Sequence, residues 1–296
     1  MIGRVIEVAT PARLSLADRQ IVVDRSEADT LSAPLEDVAV LILDNPTIAL
    51  TLPLVTACAE QNIAIVGCDQ RHMPASLTLP IEGNSTHTET LLLQIEATGP
   101  AKKQAWKQIV QAKINAQAAL IEGVCGRADK LRRLAAQVAS GDPTNCEGNA
   151  AQIYFQRLFG EDFRRERFGD YPNNLLNYGY AILRACVARA VVGAGLHPSL
   201  GIHHRNRYNP FCLADDLMEP FRPLVDAFVY RIWRASPDPI LFDRKVKAEL
   251  LRFTVSDVSL RGKSLPFLAA LTLYTASVRR FLCQDGRKLQ IPNAFT

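Results

Sequence analysis

Three segments of the chain carry oxygen and imidazole ligands at spacings that suggest a divalent-ion site. The first is Gly141-Asp142-Pro143-Thr144-Asn145-Cys146-Glu147-Gly148. Thr144 and Glu147 have the spacing of a capping box, in which the carboxylate turns back on the helix N-terminus. That first turn also faces the positive end of the helix dipole, so a carboxylate there stays ionised and can hold a cation beside a phosphate. The second segment is Gly201-Ile202-His203-His204-Arg205-Asn206-Arg207-Tyr208. Neighbouring histidines in an extended stretch point to opposite sides, so at most one of His203 and His204 would reach a given ion. Arg205 and Arg207 suit bidentate contact with phosphate, and simply solvated arginines would read the same way. The third is Leu213-Ala214-Asp215-Asp216-Leu217-Met218-Glu219-Pro220-Phe221-Arg222-Pro223. Asp216 and Glu219, three apart, share a helical face, while Asp215 is directed elsewhere. Pro220 removes the ladder bond to the Asp216 carbonyl and opens the helix beside two carboxylates. An ion pair of Glu219 with Arg222 is the competing reading.

Pooled, these segments supply carboxylates and one imidazole, a set that suits Mn²⁺ or Mg²⁺ better than zinc. An ion so held can polarise a phosphodiester oxygen and help generate a nucleophile. The sequence contains no HExxH, no nucleophilic serine motif, no Cys-His signature, no P-loop and no GxGxxG to offer a rival chemistry. Seven cysteines stand singly without a CxxC pair, as reduced thiols in a cytoplasmic protein would.

The elements that must position these groups change character along the chain. Arg4–Ala9, Arg13–Leu16, Gln20–Asp24, Glu36–Asp44, Ile63–Gly67 and Ser76–Leu79 read as strands, with a helix from Asn45-Pro46-Thr47 to Gln61 and a hairpin turn at Ala17-Asp18. Apolar residues recur at helical spacing from Thr86 onward. Helices are expected over Arg127–Ala139, Cys146–Gly160, Asn174–Ala194, Leu213–Trp233, Arg244–Ser256 and Lys263–Cys283. The fold class is therefore α+β: a β-rich domain over 1–79, a linker over 80–86 and a larger all-α domain over 87–296. Residues 1–79 hold five Lys or Arg against ten acids, a balance of −5; with +4 overall, the remainder carries +9. Any polyanion should thus sit on the helical part. A hydrophobic share of 48% and a charged share of 22% are those of an ordinary globular protein. The apolar stretches Val38–Leu43 and Ala181–Leu196 are too short or too interrupted by Arg to span a bilayer, and no signal peptide is evident, so a cytoplasmic location is expected.

Taken with their order and spacing, several stretches resemble one family. They are Glu147-Gly148-Asn149-Ala150-Ala151 with Tyr154-Phe155, Asn174-Leu175-Leu176-Asn177-Tyr178-Gly179-Tyr180, the run Gly195–His204, and Asp216-Leu217-Met218-Glu219-Pro220-Phe221-Arg222-Pro223-Leu224-Val225-Asp226. The chain resembles the CRISPR-associated integrase-nuclease, the first-numbered Cas protein of the adaptation module, and its Gly-Ile-His-His form looks like the type II branch. The resemblance implies one Mn²⁺ or Mg²⁺ on Glu147, His204 and Glu219, with Asp216 at a frequently acidic position and His204 chosen over His203 by register. It also implies attack of a DNA 3′-hydroxyl on a phosphodiester at a repeat, double-stranded DNA held by Arg and Lys, a homodimer through the β-rich domain, and a complex with the small second-numbered Cas protein. A stand-alone structure-selective repair nuclease and a non-catalytic DNA-binding scaffold remain the alternatives.

Overall fold

The run Val-Ala-Val-Leu-Ile-Leu is apolar at every position, as a strand covered on both faces must be. In the computed structural model, which describes residues 3–25, 28–167, 169–283 and 288–295, it forms the inner strand β5 (Val38–Leu43). The strands before it are β1 (Arg4–Val8), β2 (Arg13–Ala17), β3 (Gln20–Arg25) and β4 (Ala28–Pro34). After it come β6 (Ala49–Leu50), α1 (Leu52–Glu60), β7 (Ala64–Cys68) and β8 (Pro74–Thr78). They build two four-stranded sheets, in the orders β1-β5-β7-β8 and β4-β3-β2-β6. Leu14, Ile21, Val38, Leu41, Leu54 and Ile65 pack between the sheets and α1. Ala39, Val40, Ile42, Ala64 and Val66 instead join the core of the helical part, so the first sheet is shared between two cores.

The helical part comprises α2 (His87–Glu96), α3 (Gly99–Cys125), α4 (Asp129–Gln137), α5 (Cys146–Phe159), α6 (Asn173–Gly193), α7 (Cys212–Met218), α8 (Arg222–Ala235), α9 (Arg244–Leu251) and α10 (Phe267–Cys283). The 27-residue α3 starts on Thr98, whose hydroxyl accepts from the Ala101 N–H at 3.3 Å, has Pro100 in its first turn, and stops at Gly126 with φ 85°. Trp106, Ile109, Val110, Lys113, Ile114 and Gln117 recur at i+3, i+4 and i+7 on its buried side. By length and composition α6 could cross a membrane, contrary to the reading of its arginines, but 78% of its apolar window is buried inside the protein.

Several expected boundaries move. The first hairpin turns at Asp18-Arg19, both left-handed (φ 47° and 58°), a two-residue turn whose twist matches its strands. β4, mostly exposed along its length, has no apolar alternation to announce it. The helix expected from Asn45 begins only at Leu52, because Ala49–Leu50 first pairs with β2. In the helical part, Asp257–Leu260 and Lys263–Pro266 form a hairpin, β9 and β10, closed by Arg261 and Gly262 at positive φ. The linker is pinned: Asn84 donates to the Gly193 carbonyl at 3.0 Å, and a Cβ on Gly83 would lie 2.5 Å from Val192 of α6.

Candidate active site

Helix α5 begins on capping groups other than the two expected. Asn145, in the left-handed region at φ 52°, accepts from the Gly148 N–H at 3.2 Å. Asp142 accepts from the N–H groups of Cys146 and Glu147, each at 2.9 Å. Thr144 instead lies 3.3 Å from the Cys146 thiol. The capping box of Thr144 and Glu147 is thus not formed. With the first-turn donors met by Asp142 and Asn145, the Glu147 carboxylate is free to reach across to α3, where it pairs with the Lys113 ammonium.

Glu219 arrives at the same ammonium from another direction. It opens the short 3₁₀ turn Glu219–Phe221 that Pro220 forces between α7 and α8. One oxygen, Oε1, accepts from Arg222 Nε at 2.8 Å, so the anticipated pair exists. The other, Oε2, is buried and lies 2.5 Å from Lys113 Nζ. Burial would raise the Glu219 pKa; Arg222 and Lys113 outweigh it and hold the carboxyl down at about 2. Burial would likewise lower the Lys113 pKa, and the two carboxylates reverse that and raise it. Two carboxylates 72 positions apart therefore share one buried cation.

The histidines are set by Asp216, which is fully buried. Its Oδ2 accepts from the N–H groups of Ile202 at 2.6 Å and His203 at 2.8 Å, and its Oδ1 from the His204 N–H at 3.2 Å. His204 Nδ1 lies 2.5 Å from the same Oδ1. Both oxygens of Asp216 are thus committed to one loop, and Nε2 of His204 is left without a hydrogen bond among the described residues. The bond to Asp216 raises the pKa of His204 above that of a free imidazole, and Asp216 and Glu219 add to this electrostatically, while burial opposes it. The two histidines do not point to opposite sides as expected: His203 stacks on Trp106 of α3, with ring centroids 4.2 Å apart and planes at 3°, and His204 meets the same ring edge-on at 5.7 Å. Asp215 turns away, gripped by Arg184 of α6 at 2.6 and 3.0 Å.

Glu147 and Glu219, with the open nitrogen of His204, are the donors that could hold a divalent ion. Among the described residues no three His, Cys, Asp or Glu side chains are already gathered as a ligand set. Arg205 and Arg207 are exposed beyond the histidines. Arg207 lies over the ring of Tyr208 at 4.6 Å. Lys102 on α3 has a pKa lowered by burial and by the nearby charge of Arg205, so both cations border the same mouth. Lys113, Trp106 and Arg184 were not foreseen. The signal for Lys113 was present, since a charge inside an apolar helical stripe must find a buried partner.

The sequence model described as CRISPR associated protein Cas1 matches residues 7–251. The chain belongs to that family. It is 35% identical over 295 residues, 99% of its own length and 96% of the relative's, to the CRISPR-associated endonuclease Cas1 of Neisseria meningitidis serogroup C (strain 8013). Its fold is that of a casposase bound to integration product, with TM-score 0.78, 21% identity and coverage of 98% and 93%. It is also that of a chain of a Cas6-RT-Cas1–Cas2 complex, with TM-score 0.77 and 19% identity, covering all of this chain and 36% of the other. The chain is a member of the Cas1 family, built as a β-rich part followed by a helical part.

Proposed function

We propose that the protein is a divalent-metal-dependent DNA endonuclease and integrase of CRISPR adaptation, which joins captured DNA to a repeat by phosphodiester transesterification. The convergence of Glu147 and Glu219 on one buried point carries this reading. Their approach leaves a buried carboxylate oxygen, Glu219 Oε2, whose partner is a lysine ammonium that a metal cation could replace. In this reading Glu147, Glu219 and His204 Nε2 hold Mn²⁺ or Mg²⁺; these are hard oxygen donors with a single imidazole, a set suited to either ion. The bound ion would supply Lewis acidity toward a phosphodiester oxygen.

The chain's own groups do the positioning. Arg222 holds Glu219 by Oε1, which keeps Oε2 turned inward. Asp216 anchors the loop and accepts a hydrogen bond from His204 Nδ1–H, so that Nε2 presents its lone pair. Arg205, Arg207 and Lys102 at the mouth contact phosphates of double-stranded DNA, independent of sequence and sensitive to salt. The 3′-hydroxyl of the captured end is aligned against the repeat phosphodiester by these contacts.

The chain also works as a homodimer joined through residues 1–79, where the unpaired edge of β4 needs cover. In this reading it assembles with the small second-numbered Cas protein, as the name of the Cas1–Cas2 complex suggests for its relative. The test is transfer of a labelled DNA end into a supercoiled plasmid carrying leader and repeat. Mn²⁺ should support it, and EDTA, Glu147→Gln or Glu219→Gln should each abolish it. Full transfer in EDTA would leave a non-catalytic scaffold. Cleavage of branched DNA without any dependence on the repeat would favour a repair nuclease.

A further inference from the structure

Lys113 is the one cation among the described residues that touches both carboxylates of the candidate site. It is buried, it sits in the apolar stripe of α3, and its ammonium lies between Glu147 and Glu219. We propose that Lys113 is the resident counter-ion of this site, occupying the space between the carboxylates in the metal-free chain and competing with the divalent cation for them. The inference rests on the metal-binding reading above and goes beyond it by assigning a role to a residue outside the ligand set.

Three features support displacement over permanent pairing. The contact with Glu219 Oε2 is an ion pair with an ammonium, an attraction that depends little on direction, so another cation can replace it. Arg222, the other cation on Glu219, is held in place by its bond to Oε1 and by lying 4.4 Å from the ring centroid of Tyr180. Lys113 has no aromatic partner among the described residues, and a lysine is a point charge on four rotatable bonds, able to withdraw where a stacked guanidinium is not. Two carboxylates held together, one buried and one half-buried, would without a cation repel and destabilise the fold. A lysine placed there lets the chain fold before metal arrives, at the cost of weaker metal binding.

Mn²⁺ binding to the full-length chain, measured by isothermal titration calorimetry beside Tm in EDTA, tests this. Lys113→Met should lower the Tm in EDTA, enlarge the Tm rise on adding Mn²⁺, and tighten Mn²⁺ binding by about tenfold or more. Equal or weaker Mn²⁺ binding in Lys113→Met, with binding intact in the wild type and lost in Glu219→Gln, overturns the counter-ion role and leaves the metal site standing. Absence of Mn²⁺ binding in the wild type overturns both. Should Lys113→Met not fold, the wild type labelled with ¹³C at lysine Cε decides. Saturating Mg²⁺ should displace the one lysine resonance that is missing from Lys113→Arg, and an unmoved resonance overturns the proposal.

Discussion

Asp216 makes four contacts, all to the loop Ile202–His204, and this decides what each neighbouring histidine can do. His204 is held by its ring, with Nε2 open, whereas His203 is held by stacking on Trp106. His204→Ala should abolish Mn²⁺-dependent integration of a labelled end into plasmid while leaving the circular dichroism spectrum and duplex binding nearly unchanged. His203→Ala should retain most activity and lose about 0.5–1.5 kcal/mol of stability with its aromatic contact. An inactive His203→Ala beside an active His204→Ala would reverse the assignment. At this scale the sequence was legible where residue type and order carried meaning. The turning away of Asp215 and the Glu219–Arg222 pair were both readable, whereas the expected divergence of the two histidines was not met, since both rings pack on Trp106. For Lys113 the apolar stripe announced the need for a partner but not which one, because its partners lie 34 and 106 positions ahead. The capping box misled, because Asp142 and Asn145 reach the same N–H groups from left-handed conformations that the pattern Thr144…Glu147 does not encode.

Helices α5, α6 and α8 meet at Asp226, which accepts from the hydroxyls of Tyr154 at 2.8 Å and Tyr180 at 2.5 Å. Burial pushes this carboxyl up to about 6, with the two tyrosines opposing the rise. The folded state therefore binds more protons than the unfolded chain between the ordinary carboxylate range and pH 6. Stability from this group is greatest below that window and falls as pH rises through it, by up to about 3 kcal/mol. Glu219, with its pKa depressed, acts in the opposite sense, but its contribution is lost only as pH falls below the ordinary range. Asp226→Asn should remove the fall between about pH 4 and 6. Urea unfolding of wild type and variant across that range would show it as a pH-dependent difference; parallel curves would mean that Asp226 ionises normally. Helices were the elements most visible in advance, since α3, α5 and α6 carry long apolar periodicity. The hairpin β9–β10 was not visible: two four-residue strands on a two-residue turn are too short to interrupt a helical pattern.

Across the whole molecule, the sheet β1-β5-β7-β8 lies between two cores, and a buried ion pair ties its end to the helices. Asp44, just past β5, pairs with Lys247 of α9, and its other oxygen meets His72 Nδ1 at 2.9 Å. Both Asp44 and Lys247 are buried. Asp44→Ala should cost about 3–5 kcal/mol by stranding the ammonium, and the double variant Asp44→Ala with Lys247→Met should recover a large part of this. Denaturant midpoints of both check it, and equal loss in the two would indicate lost packing instead. The change from strands to helices was legible in composition, whereas the sharing of one sheet by two cores was not, because β5 reads the same whichever layer covers it. That sharing bears on how the chain behaves once its backbone is cut. Ile81 stands 91% exposed in a connection whose neighbours Gly83 and Asn84 are fastened to α6. A protease that nicks there should release nothing: the two pieces should elute as one particle, part only in denaturant, and find each other again when it is removed.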